Sequence, residues 1–242
     1  MSEEEHRTMP DSHLSQRRKP IFTRSKLRSV CLTVLLMGGG IWVWEDVIKY
    51  RVIPKRFGVV QEGQVYRSGR LSATLVRRIL VKYNIRLIVD LTGNSPDNHD
   101  QKAEKQAAAE LGIERLTFPL RGNGTGDINN YARAIAAIVK AKQERKPVLV
   151  HCAAGAQRTG GVIAAYRLLV EQKDPSFIHT ELMLFDWDPK NDTALLTYLN
   201  NHMAELAMLL KQKGVIDEIS EPLPVLGLSL TSRSGNDHRG KQ

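Results

Sequence analysis

The chain has few cysteines, and this shortage limits what can hold it together. It contains two cysteines in 242 residues, so a disulfide framework is excluded. Cys31 lies in an apolar run and Cys152 in a glycine-containing loop, so the two are not expected to pair. No cluster of His, Cys, Asp and Glu has the spacing of metal ligands. The sequence therefore predicts neither a metal nor another cofactor.

Acidic residues are fewer than basic ones, and aromatic residues are scarce. The net charge is +9, yet aromatic residues make up only 6% of the chain, and no basic stretch in its middle is interleaved with them. Nucleic acid is therefore not an expected partner. Much of the basic excess lies in residues 1–28, where seven Lys and Arg face four acids. We expect this segment and the Pro-, Gly- and Ser-containing residues 221–242 to be disordered.

One stretch lacks charge altogether. Residues 29–44 form a run of sixteen uncharged residues, about 24 Å long as a helix, and we predict a single transmembrane anchor over residues 29–48. A cleaved signal peptide, a buried core helix and a helix lying flat on the membrane are the alternatives. Within the nearer flanks, six Lys and Arg lie in residues 17–28 before the run and four lie in residues 49–56 after it. This difference favours a cytoplasmic N terminus and a domain on the outer side.

The segment from residue 55 to residue 215 has the pattern of one folded domain. Short apolar, β-branched runs alternate with helical ones, which indicates an α/β fold with a mostly parallel central sheet and helices on both faces. Ser72 and Asp192 are expected to cap helices. The predicted strands lie near residues 58–60, 64–67, 86–91, 113–118 and 148–151. The predicted helices cover residues 72–83, 100–111, 128–145 and 159–172, one that starts at Pro175, and a long one over 192–213.

The most informative motif is the ten-residue run His151-Cys-Ala-Ala-Gly-Ala-Gln-Arg-Thr-Gly160. It follows a predicted strand and opens a predicted helix, so a tight loop leads to a helix N-terminus. Helix N-termini bind anions, and together with Arg158 they favour the thiolate of Cys152. An activated sulfur facing a phosphate-sized cradle indicates nucleophilic phosphoryl transfer. The alternative is a buried structural cysteine.

This Cys-x5-Arg loop resembles that of the cysteine-dependent protein tyrosine and dual-specificity phosphatases, in particular their compact bacterial members. Runs similar to theirs also occur in the same order at Val65–Arg70, Ile85–Leu91 and Gly112–Leu120. The resemblance implies that Cys152 forms a phosphocysteine and that Arg158 binds phosphate oxygens. The implied phosphate-binding loop comprises Ala153, Ala154, Gly155, Ala156, Gln157 and Arg158.

Two neighbours of the loop have implied supporting roles. Thr159 resembles the hydroxyl with which the family stabilises the departing thiolate, although a local bond at the helix start is an alternative. His151 resembles the residue that tunes the cysteine from behind, although a buried histidine satisfied by backbone is equally compatible with the sequence.

The sequence offers two candidates for the proton donor to the leaving group. The family uses an Asp on a mobile loop before the cysteine, and Asp127 follows the glycine-rich residues 122–126. Asp127 also fits as the cap of a helix that begins at Ile128. Asp90, at the end of a central strand, is a second candidate. Many bacterial relatives have Asp where this chain has Gln157, and this difference removes a carboxylate that could act as an acid or orient water in the loop.

The expected function is a metal-independent phosphatase acting on phosphotyrosine or phosphoserine/threonine proteins. A lipid-phosphate phosphatase at the membrane and a non-catalytic phosphate-binding protein are the alternatives. Ala153 and Ala156 replace lysines found in phosphoinositide-selective relatives, so a singly phosphorylated substrate is expected rather than an inositol polyphosphate. Arg67, Arg70 and Arg121 either supply positive charge around the loop or are solvated at the surface.

Overall fold

The computed structural model describes residues 32–35, 37–38, 44 and 49–227. The chain divides into two compact units, Met1–Glu45 and Asp46–Gln242, and the elements below belong to the second. Its strands are β1 (Gly58–Gln61), β2 (Val65–Gly69), β3 (Leu87–Asp90), β4 (Glu114–Thr117) and β5 (Val148–Cys152). Its helices are α1 (Lys49–Val52), α2 (Val76–Lys82), α3 (His99–Glu110), α4 (Ile128–Gln143), α5 (Gln157–Leu169), α6 (Pro175–Leu184), α7 (Thr193–Asn201) and α8 (Met203–Gln212).

The five strands form one sheet in the order β1-β2-β5-β3-β4. β5 lies at its centre and pairs in parallel with β2 and β3, and β3 pairs in parallel with β4. Only the edge strand β1 is antiparallel to its neighbour. The predicted mostly parallel sheet is therefore confirmed. Cys152 ends the central strand, at the edge of the sheet where α/β folds bind their ligands.

Both faces of the sheet are covered, also as predicted. Side chains alternate along a strand, so Val148, Val150 and Cys152 join a core with α4 to α8, whereas Leu149 joins a second core with α2 and α3. All five residues of β5 are buried. Burial on both faces explains why the strand is apolar along most of its length.

The predicted long helix over residues 192–213 is wrong, because two helices replace it. α7 ends at Asn201 and α8 begins at Met203. Between them, His202 leaves helical geometry at φ −108° and ψ 10°, and its Nδ1 lies 2.8 Å from the Tyr198 carbonyl oxygen. The break lets the chain turn so that both helices bury apolar residues in the same core.

The N-caps predicted at Ser72 and Asp192 both lack a capping bond. α2 begins only at Val76, and the Ser72 hydroxyl lies 3.0 Å from that of Thr74 instead of accepting from a helix N–H. Asp192 does occupy the N-cap position of α7, but its carboxylate accepts from Gln157 Nε2 and from the backbone N–H of Asp188. In each case another partner replaces the local cap.

The end of the described chain is attached to the domain. Asn200 donates to the Leu226 carbonyl (2.9 Å) and accepts from the Leu226 N–H (2.8 Å), and Leu226 is buried. Leu226 therefore has defined contacts, although residues 221–242 were expected to be disordered. Residues 228–242 lie outside the described residues.

The predicted anchor over residues 29–48 also lies largely outside the described residues, as do residues 1–28. Among the residues that the structure does describe, no helix has the length and apolar character needed to span a bilayer.

Candidate active site

The predicted loop joins the central strand to a helix, as the sequence indicates. β5 ends at Cys152 and α5 begins at Gln157. Cys152 is buried, and its Sγ accepts a hydrogen bond from the Gly155 N–H at 3.1 Å. The loop therefore curls back over its own thiol.

Gly155 permits this curl. Its φ is +86°, and a Cβ at this position would lie 2.5 Å from the Gly69 nitrogen. Left-handed backbone and such a close approach both require glycine. The loop thus lies directly against the end of β2.

The carbonyl groups of the loop are held from outside. Three successive carbonyls accept hydrogen bonds from arginines outside the loop, and in a peptide plane the C=O and N–H point in opposite directions. Holding the carbonyls outward therefore leaves loop N–H groups to point inward, which is the arrangement of an anion-binding nest. The bonds run from Arg70 N to Ala153 (3.2 Å), from Arg56 Nη1 to Ala154 (2.8 Å) and from Arg67 Nη2 to Gly155 (2.9 Å).

The thiol of Cys152 is more acidic than usual. Burial by itself would raise its pKa, but this is outweighed by hydrogen bonds from the Thr159 hydroxyl and from the N–H groups of Gly155 and Thr159, and by the charge of Arg158. The net result is a pKa below the ordinary value of a thiol. The structure therefore favours the nucleophilic thiolate.

Arg158 and Thr159 occupy suitable places in the first turn of α5. The Nε of Arg158 is buried and has no hydrogen-bond partner in the described part of the chain, so it is a donor free for an anion. The Thr159 hydroxyl lies 3.4 Å from the Ser68 carbonyl and also hydrogen-bonds the thiol. It therefore interacts across the loop, in contrast to the local helix-start bond considered from the sequence.

His151 has a carboxylate partner that the sequence did not reveal. Its Nε2 lies 3.0 Å from Glu104 Oε2 on α3, and both side chains are buried. Burial alone would lower the pKa of His151, but the negative charge of Glu104 raises it to about 9. Burial works against the charged form of Glu104 too, yet His151 and Arg115 lower its pKa to about 2. The raised pKa favours the imidazolium form of His151, the residue that directly precedes the nucleophile in β5.

Asp90 belongs to the same buried network. Its Oδ1 accepts from the N–H and hydroxyl of Thr92, and its Oδ2 accepts from Gln101 and Arg115. Both oxygens are thus engaged inside the fold, and the structure does not support Asp90 as the proton donor. Asp90, Glu104 and His151 are close enough to hold a metal ion, a grouping that sequence spacing missed. Arg115 contacts both carboxylates and already supplies positive charge there.

Asp127 is an exposed helix cap. Its Oδ1 accepts from the Asn129 N–H at 2.9 Å at the start of α4. The capping interpretation is confirmed, and the proton-donor role stays a prediction.

Gln157 also connects the loop to a carboxylate. Its Nε2 donates to Asp192 Oδ1 at 2.5 Å, and its Oε1 is buried without a partner among the described residues. The Asp expected at position 157 from bacterial relatives is absent, but Asp192 brings a carboxylate close to the loop from another segment.

The arginines outside the loop differ in environment. Arg67 is not solvated, which was one of the two alternatives from the sequence: it is buried, and its guanidinium lies 3.8 Å from the Phe185 ring centre. Burial lowers its pKa to about 10. Arg121 is exposed. Arg70 is partly buried, and its Nη2 donates to the Thr92 hydroxyl at 2.8 Å.

Comparisons with known proteins find similar sequences among phosphatases. A family model described as "DSP-PTPase phosphatase fused to NAD+ Kinase" matches residues 41–192. The dual specificity protein phosphatase OPG106 of vaccinia virus (strain Copenhagen) is 38% identical over 74 residues, 30% of this chain. That match covers 43% of the viral protein, so the chain spans less than half the length of this curated relative.

Two solved structures share the fold. Pseudomonas aeruginosa TpbA has a TM-score of 0.53 at 21% identity, with 64% of this chain and 91% of TpbA covered. The catalytic core of the Saccharomyces cerevisiae PP-IP phosphatase Siw14 has a TM-score of 0.51 at 18% identity, with 72% and 98% covered. At these identities the likeness concerns the fold alone.

Proposed function

The chain belongs to the family of DSP-PTPase phosphatase domains whose model describes a fusion to NAD+ kinase, and from this we propose that it hydrolyses phosphomonoesters through Cys152. The observation that carries the proposal is the acidic thiol enclosed by a loop whose carbonyls are held outward. One short segment, residues 152–158, therefore supplies the nucleophile, the N–H groups that bind an anion and the free Nε donor of Arg158.

The proposed reaction has two steps. In the first, the Cys152 thiolate attacks phosphorus in line, an S–P bond forms, and the bond to the ester oxygen breaks. Arg158 and the loop N–H groups stabilise the charge on the phosphoryl oxygens. In the second, water attacks the phosphorus of the phosphocysteine, and the S–P bond breaks. Inorganic phosphate is released, and the Cys152 sulfur is the leaving group, as a thiolate. The Thr159 hydroxyl that lowers the pKa of the thiol stabilises this leaving group.

Asp127 is our candidate for the acid that protonates the ester oxygen. Its capping bonds with Asn129 involve Oδ1, and the residue is exposed at the end of a glycine-rich loop. Capping and proton donation are compatible because a carboxyl group has two oxygens.

Phosphoproteins are the substrates that the sequence favours, and the name of the vaccinia relative, a dual specificity protein phosphatase, supports this choice. A lipid phosphate is the alternative if residues 29–48 anchor the chain to a membrane. The anchor and the outer location of the domain stay predictions. The low thiol pKa and the free donor of Arg158 argue against a phosphate-binding protein without activity.

The test is turnover of a small aryl phosphate by the full-length protein and its variants. Cys152→Ser is expected to abolish turnover while it preserves vanadate binding, because the cradle stays and only the thiolate is lost. Arg158→Lys is expected to lower kcat/KM at least about a hundredfold, since an ammonium cannot replace the planar fork. Cys31→Ser is the matched control and is expected to behave as wild type. Turnover by Cys152→Ser within tenfold of wild type would refute the mechanism.

A further inference from the structure

The side chain of Gln157 links the catalytic loop to the start of α7. Gln157 precedes Arg158 in the loop, and its Nε2 donates to Asp192 Oδ1 at 2.5 Å. Asp192 is held in turn from two sides. Its Oδ2 accepts from the Asp188 N–H at 3.0 Å, and its backbone carbonyl accepts from the indole Nε1 of Trp187 at 3.1 Å. The carboxylate therefore presents a fixed acceptor to the loop.

This bond decides which way the amide of Gln157 faces. A carboxylate only accepts hydrogen bonds, whereas a glutamine amide has a donor end and an acceptor end. Asp192 therefore binds the NH₂ end, and Oε1 is the end left free. Oε1 is buried and has no hydrogen-bond partner among the residues that the structure describes. Leaving a buried acceptor unpaired costs free energy, so its retention calls for a functional partner.

Two consecutive residues of the loop thus offer opposite free groups. Arg158 has a buried free donor at Nε, and Gln157 has a buried free acceptor at Oε1. The donor suits phosphoryl oxygens. The acceptor does not, because its lone pairs repel theirs, and it suits a group that donates a hydrogen bond. In the proposed reaction, the water that attacks the phosphocysteine is such a group.

We propose that Gln157 Oε1 accepts a hydrogen bond from this water and turns its lone pair towards phosphorus, and that Asp192 is the positioning residue that keeps Oε1 free for it. This inference rests on the proposed function and assigns two residues to its second step. Orientation of this kind lowers the barrier because the water no longer has to find the reactive geometry by chance.

The step balances without a base. The oxygen of water forms a bond to phosphorus, the S–P bond breaks, and its electron pair leaves with the sulfur. A dianionic phosphocysteine and water thus give a thiolate and dihydrogen phosphate, and both hydrogens of the water stay on the phosphate. The amide oxygen of Gln157 accepts a hydrogen bond but takes up no proton.

Rapid-quench turnover of p-nitrophenyl phosphate by the full-length protein separates the two steps. Nitrophenolate is released in the first step, and acid quenching traps the phosphocysteine that has not yet reacted with water. In Gln157→Ala we expect the rate constant for phosphocysteine hydrolysis to fall about tenfold, as for the loss of one hydrogen bond. The rate constant for its formation should stay within about threefold of wild type, so phosphocysteine should accumulate.

Asp192→Asn tests the positioning role with an almost unchanged shape. The new amide has one oxygen, which keeps the bond from the Asp188 N–H, so its NH₂ group faces the loop. The amide of Gln157 then turns over to accept from it, and an NH₂ group replaces Oε1 as the free end. We expect phosphocysteine hydrolysis to slow about tenfold, as in Gln157→Ala.

A second substitution should rescue this variant. Gln157→Glu in the Asp192→Asn background supplies a carboxylate that accepts from the new amide and still offers a free acceptor. We expect it to restore the hydrolysis rate constant to within about threefold of wild type. Its charge repels the incoming phosphate, so the rescue is scored on hydrolysis of the phosphocysteine and not on its formation.

Asp174→Asn is the matched control. Asp174 also occupies a helix N-cap, at the start of α6, where its carboxylate accepts from Ser176. The same chemical change is therefore made at a cap that has no contact with the catalytic loop, and both rate constants should equal those of wild type.

Unchanged hydrolysis in Gln157→Ala would overturn the proposal. Equal losses in both rate constants would also overturn it, because they would show that the link to Asp192 only supports the loop, and a failed rescue would remove the positioning role of Asp192. Slower formation confined to a phosphotyrosine peptide would assign Oε1 to a substrate N–H instead of water. Absence of a trapped phosphocysteine and of turnover in wild type would refute the proposed function itself, and this inference with it.

Discussion

Gly155→Ala is the sharpest test of how the loop is built. The new Cβ would lie 2.5 Å from the Gly69 nitrogen and 2.8 Å from the Ser68 carbonyl carbon. Both atoms belong to the backbone of β2, which pairs with β5 along its length, so neither can rotate away. The loop must therefore move by most of an ångström, which separates the Gly155 N–H from the Cys152 sulfur.

Two costs contribute to the expected loss of stability. Left-handed backbone costs a residue with a Cβ about 1–2 kcal/mol, and overpacking a buried site costs about 1–3 kcal/mol more. A total of about 2–5 kcal/mol corresponds to a drop in Tm of roughly 4–20 °C for a domain of this size. The pKa of the Cys152 thiol should rise at the same time, because a hydrogen bond that lowers it is lost.

Gly112→Ala is the matched control. Gly112 also has a positive φ, +63°, but a Cβ there meets nothing within 4 Å, so only the backbone cost applies. Tm is measured by scanning fluorimetry, and the thiol pKa by the pH dependence of alkylation with iodoacetamide. Equal Tm losses in the two variants, or an unchanged thiol pKa in Gly155→Ala, would refute the account of the loop.

The sequence predicts those parts of the site whose residues are neighbours along the chain. Cys152, Gly155 and Arg158 lie in one loop, and their spacing alone places them around an anion. The core strands are equally visible, because burial on both faces leaves few polar positions within them.

The other parts of the site depend on contacts between segments that are far apart in the sequence. Arg67 looks like a surface arginine in its local sequence, yet it is buried, with its Nη2 bonded to the Gly155 carbonyl and its guanidinium over the Phe185 ring. Glu104 lies in a helix of polar residues and alanines, and nothing marks it as the partner of His151. Asp192 fails as a side-chain cap for a similar reason, since Gln157 competes for its carboxylate.

Three further predictions concern the proton donor, the anchor and the buried ion pair. Asp127→Asn should lower kcat about 10²–10⁴-fold on alkyl phosphates and should change kcat little on activated aryl phosphates. Its Tm should stay that of wild type, because Asn also caps helices. Wild-type kcat on both kinds of substrate would show that Asp127 is a helix cap and not the proton donor. If residues 29–48 form an anchor, the full-length protein should sediment with membranes and resist high salt, and release by salt alone would indicate peripheral attachment. Glu104→Gln should remove the charge that raises the pKa of His151 to about 9, so the imidazolium is lost at lower pH and the thiol pKa rises. The pair's stabilisation is fully present only above the ordinary Glu pKa of 4.5 and below the ordinary His pKa of 6.5. It is lost as pH falls through about 2, the folded pKa of Glu104, or rises through about 9, that of His151. The difference in Tm between wild type and Glu104→Gln should therefore be largest from pH 4.5 to 6.5 and shrink towards pH 9, and a difference independent of pH would show that Glu104 acts through packing alone.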